Sequence, residues 1–167
     1  GANFVPADMI LASIDKERYD KITDLALKAN FNFLRIWGGG IYENEEFFEL
    51  CDSKGILVWH DFISACATLP YSDAEFAKSI RNEAVYNVRR LSCYPSLIVW
   101  CGNNEVDVYG VKDFKNYDKL PEDTKLYFED LPQIVSHEDP EKYYQPSSPY
   151  SFDGSPSFND FVGDQHP

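Results

Sequence analysis

A chain of 167 residues with 44% hydrophobic, 26% charged and 16% aromatic side chains has the make-up of a globular protein rich in rings, which excludes disorder, collagen and small disulfide scaffolds. Twenty-eight acidic against fifteen basic residues give a formal net charge of -13, which repels phosphate backbones and anionic lipid, so no nucleic acid and no membrane surface is expected as a partner. The longest apolar runs, such as Ser96 to Cys101, fall far short of the roughly 18 to 20 residues that cross a bilayer.

From Lys16 to Ala29, apolar residues at Tyr19, Ile22, Leu25, Ala26 and Ala29 have the three-and-four spacing of a helix with one buried face, and Asp15 is placed to cap it. Phe31 to Ile36 is a short apolar run stopped by Gly38, Gly39 and Gly40, which predicts a buried strand entering a turn. A second helix begins near Asn44, buries Phe47, Phe48, Leu50 and Cys51, and ends at Gly55. Ile56 to Trp59 follows as a strand. Asp73 to Arg90 predicts a third helix, and Leu97 to Cys101 a third strand, continuous and apolar as in a parallel sheet covered by helices. Beyond Val106 a short helix is expected near Thr124 to Leu131, a strand between Glu141 and Pro146, and a long irregular loop from Gln145 to Asn159.

Strand and helix alternate, which is the order of an α/β parallel sheet, either open and doubly wound or closed as a (β/α)8 barrel. In both, chemistry sits where strands end. Trp37 follows the first predicted strand, His60 and Asp61 the second, and Asn103, Asn104 and Glu105 the third. Gly38-Gly39-Gly40 lacks the spacing of a phosphate-binding loop, so a nucleotide is not expected. An acid, a second carboxylate, an amide and an aromatic face are the groups a glycosidase sets around a sugar, and Glu105, Asp61, Asn104 and Trp37 supply those types. From spacing alone, the favoured reading of Glu105 is a solvated loop residue or a first-turn acid of a helix. The four cysteines, Cys51, Cys66, Cys93 and Cys101, match no zinc or redox spacing and are expected to be small buried hydrophobes; no metal and no cofactor is expected.

Four segments carry a resemblance. Gly1 to Asp8 (GANFVPAD), Leu34 to Glu43 (LRIWGGGIYE), Val58 to Phe62 (VWHDF) and Ile98 to Glu105 (IVWCGNNE) closely resemble the catalytic barrel of β-mannosidases, members of glycoside hydrolase family 2 in the retaining clan that also holds β-galactosidases and β-glucuronidases. The resemblance implies a (β/α)8 TIM barrel and covers nearly all of the chain. It makes Glu105 the general acid/base and Asn104 the partner of the sugar 2-hydroxyl, and it sets Trp37 and Asp61 beside the axial side of mannose. Arg35 would orient a carboxylate in the same site, or serve as an interior arginine with a structural partner. His166, with Asp164, resembles a motif at the end of a later strand near the sugar. His60 stands where many relatives would have Gln, and Trp100 is expected in the core.

A complete barrel takes about 250 residues, so this chain is expected to hold five or six of the eight strands. The resemblance therefore implies a single partial barrel domain over 1–167, with the end of the barrel, the nucleophile and flanking β-sandwich domains carried elsewhere on a longer chain. Such a piece would be inactive alone and prone to self-associate through open edges. Gly1 opens the sequence with no signal segment behind it, which leaves the compartment open, extracytoplasmic or lysosomal for the parent. The alternatives are a sister exo-β-glycosidase, such as a β-galactosidase or exo-glucosaminidase, and a noncatalytic carbohydrate-binding module.

Overall fold

The computed structural model describes residues 1–67, 69–106, 125–153 and 163–164. Among them five strands form one sheet in the order of the chain, every neighbouring pair parallel: β1 (Ala2–Phe4), β2 (Phe33–Ile36), β3 (Leu57–Asp61), β4 (Leu97–Cys101) and β5 (Tyr143–Gln145). Among the described residues four α-helices accompany them: α1 (Lys16–Lys28), α2 (Glu45–Lys54), α3 (Ala74–Leu91) and α4 (Leu131–Glu138). Sequential parallel order with a helix after β1, β2 and β3 is the winding of a barrel and not of a doubly wound sheet, whose order reverses. The fold is thus a partial (β/α)8 barrel. The strand β1 is an addition to the sequence reading, and the helix expected near Thr124 to Leu131 begins as a π-turn over Leu126–Asp130 and continues as α4.

Local chemistry sets the helix ends. Asp15 accepts a hydrogen bond from the Arg18 amide at 2.8 Å and Asp73 one from the Phe76 amide at 2.8 Å, so each caps an otherwise unpaired backbone N–H of a first turn. Gly55 ends α2 with φ +69, the left-handed conformation that costs glycine least. Period-two alternation then sorts the strands. Val58 and His60 face the helices, whereas Leu57, Trp59 and Asp61 face the concave side. Between sheet and helices lies the core, which includes Leu34, Ile36, Phe47, Phe48, Val58, Val88, Leu91 and Trp100. Burying each such side chain contributes about 1.5–3 kcal/mol, and a one-residue slip of any strand would expose the set.

His60 belongs to this core, on the side of the sheet away from the strand-end residues. Its ring lies 5.2 Å from Tyr42 and 5.4 Å from Trp100, and its Nδ1 is 2.6 Å from the Asp61 carbonyl. The neutral tautomer donates there, while Nε2 is buried without a hydrogen-bond partner among the described residues. Trp100 is fully buried in the core, as expected, and its indole N–H donates to Asp139 at 3.0 Å. Cys51 and Cys101 are buried as expected, but Cys66 and Cys93 are exposed, each standing in a turn outside the helix and strand faces that bury side chains.

Two outcomes follow from these surfaces. Among the described residues β1 and β5 are edges, and Leu57 and Tyr143 stand 41% and 51% exposed on the concave face. The 167-residue chain should therefore show a mass that rises with concentration in sedimentation, and a monomer at high concentration would count against open edges. Burial pulls the His60 pKa down to about 4 from 6.5. Between these values the unfolded chain takes up a proton that the folded one refuses, so this stability is complete above pH 6.5 and lost as pH falls towards 4. His60→Gln, which keeps a donor for the Asp61 carbonyl, should flatten the acid slope of denaturant stability by about 1.4 kcal/mol per pH unit in that window.

Candidate active site

The carboxyl ends of the strands supply the site. Arg35 is the third residue of β2, in register with Asn3 and Trp59, and its guanidinium crosses the concave face to the last residue of β3. There Arg35 Nε donates to Asp61 Oδ1 at 3.1 Å and Nη2 to Asp61 Oδ2 at 2.7 Å. Two further donors complete the carboxylate: the Trp59 indole N–H to Oδ1 at 2.7 Å and the Gly38 amide to Oδ2 at 3.1 Å. Each oxygen thus has two donors, which fills its acceptor capacity. Asp61 is 0% exposed and Arg35 7%. Burial pushes the Asp61 carboxyl up, and the Arg35, Trp59 and Gly38 donors pull it back. Four donors and a facing guanidinium suit the ionised form. Trp59 also lies under the guanidinium, 5.6 Å from ring centroid to Cζ.

The turn after β2 depends on two glycines. A Cβ on Gly38 would fall 2.5 Å from the Ser64 carbonyl and 2.9 Å from that of Phe62, so only glycine lets this turn approach the exit of β3 and give its amide to Asp61. A Cβ on Gly39 would fall 2.0 Å from the Trp37 ring, so the half-buried indole lies directly on that residue. The Trp37 amide donates to the Phe4 carbonyl at 3.0 Å, which ties the turn to β1.

After β4 the two asparagines part. Asn103 is spent on the neighbouring loops: its Oδ1 accepts from the Val106 amide at 3.0 Å and the Ser147 hydroxyl at 2.8 Å, and its amide donates to the Pro146 carbonyl at 3.2 Å. Asn104 turns to the site, where Oδ1 accepts from Arg35 Nη2 at 3.1 Å and Nδ2 donates to Cys66 Sγ at 3.4 Å. Its backbone bridges Ala65 on one side and Ser148 on the other, which extends the parallel pairing past the strands. Glu105 follows with φ +59, and Cys66 across from it has φ +54. Left-handed backbone at a residue with a Cβ costs of order 1–3 kcal/mol and persists where the surroundings over-determine it. Here they do: the Glu105 amide donates to the Ser148 carbonyl at 2.9 Å, the Cys66 amide to the Asn104 carbonyl at 2.8 Å, and the Cys66 thiol to Glu105 Oε2 at 3.4 Å. Burial and Glu105 together push the Cys66 thiol up, so it stays a donor.

The structure brings Arg35, Asp61, Asn104 and Glu105 into one chain of contacts, with Trp37 on the turn beside Asp61. His166 lies outside the described residues. Asp164 is described, and it accepts from Gln145 Nε2 and the Tyr150 amide, each at 2.7 Å, and from the Ser148 hydroxyl. A cleft of about 270 Å³ opens on the concave side, bounded by Asn3, Phe33, Arg35, Trp59, Ser148 and Asp164 among others. Trp59 and Cys66 were not singled out in the sequence. Trp59 could have been, as it stands two residues before Asp61 in a strand and so on the same face; nothing local marks Cys66.

No protein-family model matches the chain. The β-mannosidases B of Neosartorya fischeri and Aspergillus niger are each 39% identical to it over 177 aligned positions, which cover 99% of this chain and 21% of theirs. The Mus musculus β-mannosidase is 40% identical over 157 positions, 89% of this chain and 18% of its own. Among solved structures, the β-D-mannosidase of Dictyoglomus thermophilum matches the whole chain with a TM-score of 0.86 and 39% identity, over 20% of its own length. A Bacteroides uniformis β-glucuronidase matches with a TM-score of 0.63 at 20% identity, which speaks for the shared fold alone. The chain spans about a fifth of the length of the curated relatives it matches. By fold, and by 39–40% identity over most or all of its length, the chain is a homologue of a stretch of the β-mannosidases that makes up about a fifth of those proteins.

Proposed function

We propose that this chain carries the acid/base side of a retaining β-mannosidase site, which removes terminal β-D-mannose from the non-reducing ends of β-mannosides. The observation that carries the reading is Glu105 at the end of β4, held in left-handed backbone next to an Asn104 amide that Arg35 fixes. A carboxyl group so placed stands at the rim, half-exposed, where a glycosidic oxygen can reach it. Identity of 39–40% to β-mannosidases supports the sugar.

In the first step Glu105 donates its proton to the glycosidic oxygen as the bond to the anomeric carbon breaks, and a second carboxylate attacks that carbon from the opposite face. In the second step Glu105 takes a proton from the water that displaces this carboxylate, so the sugar leaves with retained configuration. The two carboxyl groups must lie about 5 to 5.5 Å apart. Asp61 cannot serve, because its acceptor positions are filled and it has no exposed surface. The nucleophile in this reading sits on a later strand of a longer protein that also carries β-sandwich domains, and the 167 residues alone turn over nothing. Asn104 donates to the sugar 2-hydroxyl, Trp37 walls that side of the ring, and His166 belongs to the same sugar site. Asp61 serves the sugar indirectly, by anchoring Arg35 and the turn that carries Trp37.

Glu105→Gln in the complete protein should lower kcat/KM on unactivated β-mannosides by about 10²-fold or more. β-Galactosides and β-glucosaminides are the controls. A wild type that prefers either control would move the assignment to a sister activity, and an unchanged Glu105→Gln would remove Glu105 from the mechanism. Asp61→Asn leaves the Arg35 guanidinium buried without its counter-charge, and denaturant unfolding should show a loss of about 3–5 kcal/mol.

A further inference from the structure

Arginine has donors only, so the atom of Asn104 that meets Arg35 Nη2 at 3.1 Å must be the amide oxygen. The guanidinium cannot swing away to release it, since Nε and Nη2 are both committed to Asp61 at 3.1 and 2.7 Å, and Asp61 is itself pinned by Trp59 and Gly38. A flip of the amide would set N–H against N–H in a site where Asn104 is 2% exposed. One orientation therefore survives, with the NH2 group turned away from Arg35 and towards the side of Cys66 and Glu105. There its acceptor is a thiol sulfur at 3.4 Å, a weak partner beside the charge-assisted bond at the other end. The oxygen is strongly held and the amine lightly spent.

We infer that Arg35 is a positioning residue for substrate recognition: anchored by Asp61, it locks the Asn104 side-chain amide so that its N–H, and not its carbonyl, meets the sugar 2-hydroxyl. The inference rests on the proposal that Asn104 contacts that hydroxyl. On binding, the sugar oxygen replaces the Cys66 sulfur as acceptor, and no protein oxygen loses a partner in the exchange. Specificity at that carbon then depends on a residue pair that the sugar need not touch.

The test compares kcat/KM for an aryl β-mannoside with that for its 2-deoxy counterpart, in the complete protein, for wild type, Arg35→Lys, Asn104→Asp and the double variant. Arg35→Lys keeps the charge but cannot grip Asp61 and Asn104 together. Asn104→Asp keeps a partner for Arg35 and nearly the same shape but has no N–H to offer, so it isolates the donor even where Arg35→Lys fails to fold. In each single variant the ratio of mannoside to 2-deoxy kcat/KM should fall about tenfold or more, and the double variant should fall little further. A loss of equal size on both substrates, with the ratio unchanged, would make Arg35 merely structural and overturn the inference; so would ratios that multiply in the double variant. If the wild type prefers another β-hexoside, the same comparison on that sugar and its 2-deoxy form still decides the inference, and only the mannoside assignment falls. A wild type inert to every β-hexoside would remove the functional reading and this inference together.

Discussion

The buried pair of Arg35 and Asp61 is the constraint around which the rest of the site is arranged. Taking two charges out of water costs several kcal/mol each, and their attraction offsets this only where geometry is good and the remaining hydrogen-bonding positions are filled. Both conditions hold. The guanidinium meets the carboxylate through two nitrogens, an indole and a backbone amide complete the oxygens, and a third contact of Arg35 goes to the Asn104 side-chain amide oxygen, Oδ1. The pair joins β2 to β3 and reaches the turn after β4, so three strand ends are fixed relative to one another by side chains as well as by the sheet. Removing either charge leaves the other stranded, which is why the pair fixes geometry whatever its net contribution to stability.

The rim beyond the strands is held differently, by backbone. Ala65, Asn104 and Ser148 resume the parallel pairing three to four residues past β3, β4 and β5, and the left-handed conformations of Cys66 and Glu105 follow those bridges directly. Behind it, the stack of Tyr42, His60, Trp100 and Phe62 presses the sheet from the helical side, and the His60 ring holds the carbonyl of the residue whose carboxylate faces the other way. The position of Asp61 is thus set from both faces of the sheet.

Much of this was legible in the sequence, for reasons that differ by element. The caps at Asp15, Asp73 and Gly55 were legible because a cap is a local interaction, and so was the apolar face of α2. The strand β1 was not, because Ala2–Phe4 is three residues long and becomes a strand only by pairing with β2, some thirty residues later in the chain. Leu25 fits the helical pattern of α1 yet is 55% exposed, since α1 buries only the narrower stripe of Tyr19, Thr23 and Ala26. Strand-end position marked Asp61, Asn104 and Glu105 correctly as rim residues. It could not separate Asn103, which serves the neighbouring loops, from Asn104, nor show that every acceptor position of Asp61 is taken. Those facts depend on which donors the fold brings from β2, from the Gly38 turn and from the same face of β3. The two exposed cysteines follow the same rule: burial preference is a property of residue type, and Cys66 is placed by the turn it occupies.

The division between the rigid pair and the bent rim has a mechanistic consequence. A retaining glycosidase asks two different things of neighbouring residues: the sugar must be held in one orientation through both steps, while the acid/base must give up a proton to one oxygen and later take one from another. Asn104 is suited to the first, since its amide is locked by a charge that is itself locked and its backbone is paired on both sides. Glu105 is suited to the second. Its backbone is fixed at the amide by Ser148, its residue is half-exposed, and one of its contacts is a thiol donor, Cys66, at 3.4 Å. Under the proposed function, adjacent positions in the chain thus combine a recognition group that cannot turn with a proton-transfer group on the half-exposed rim.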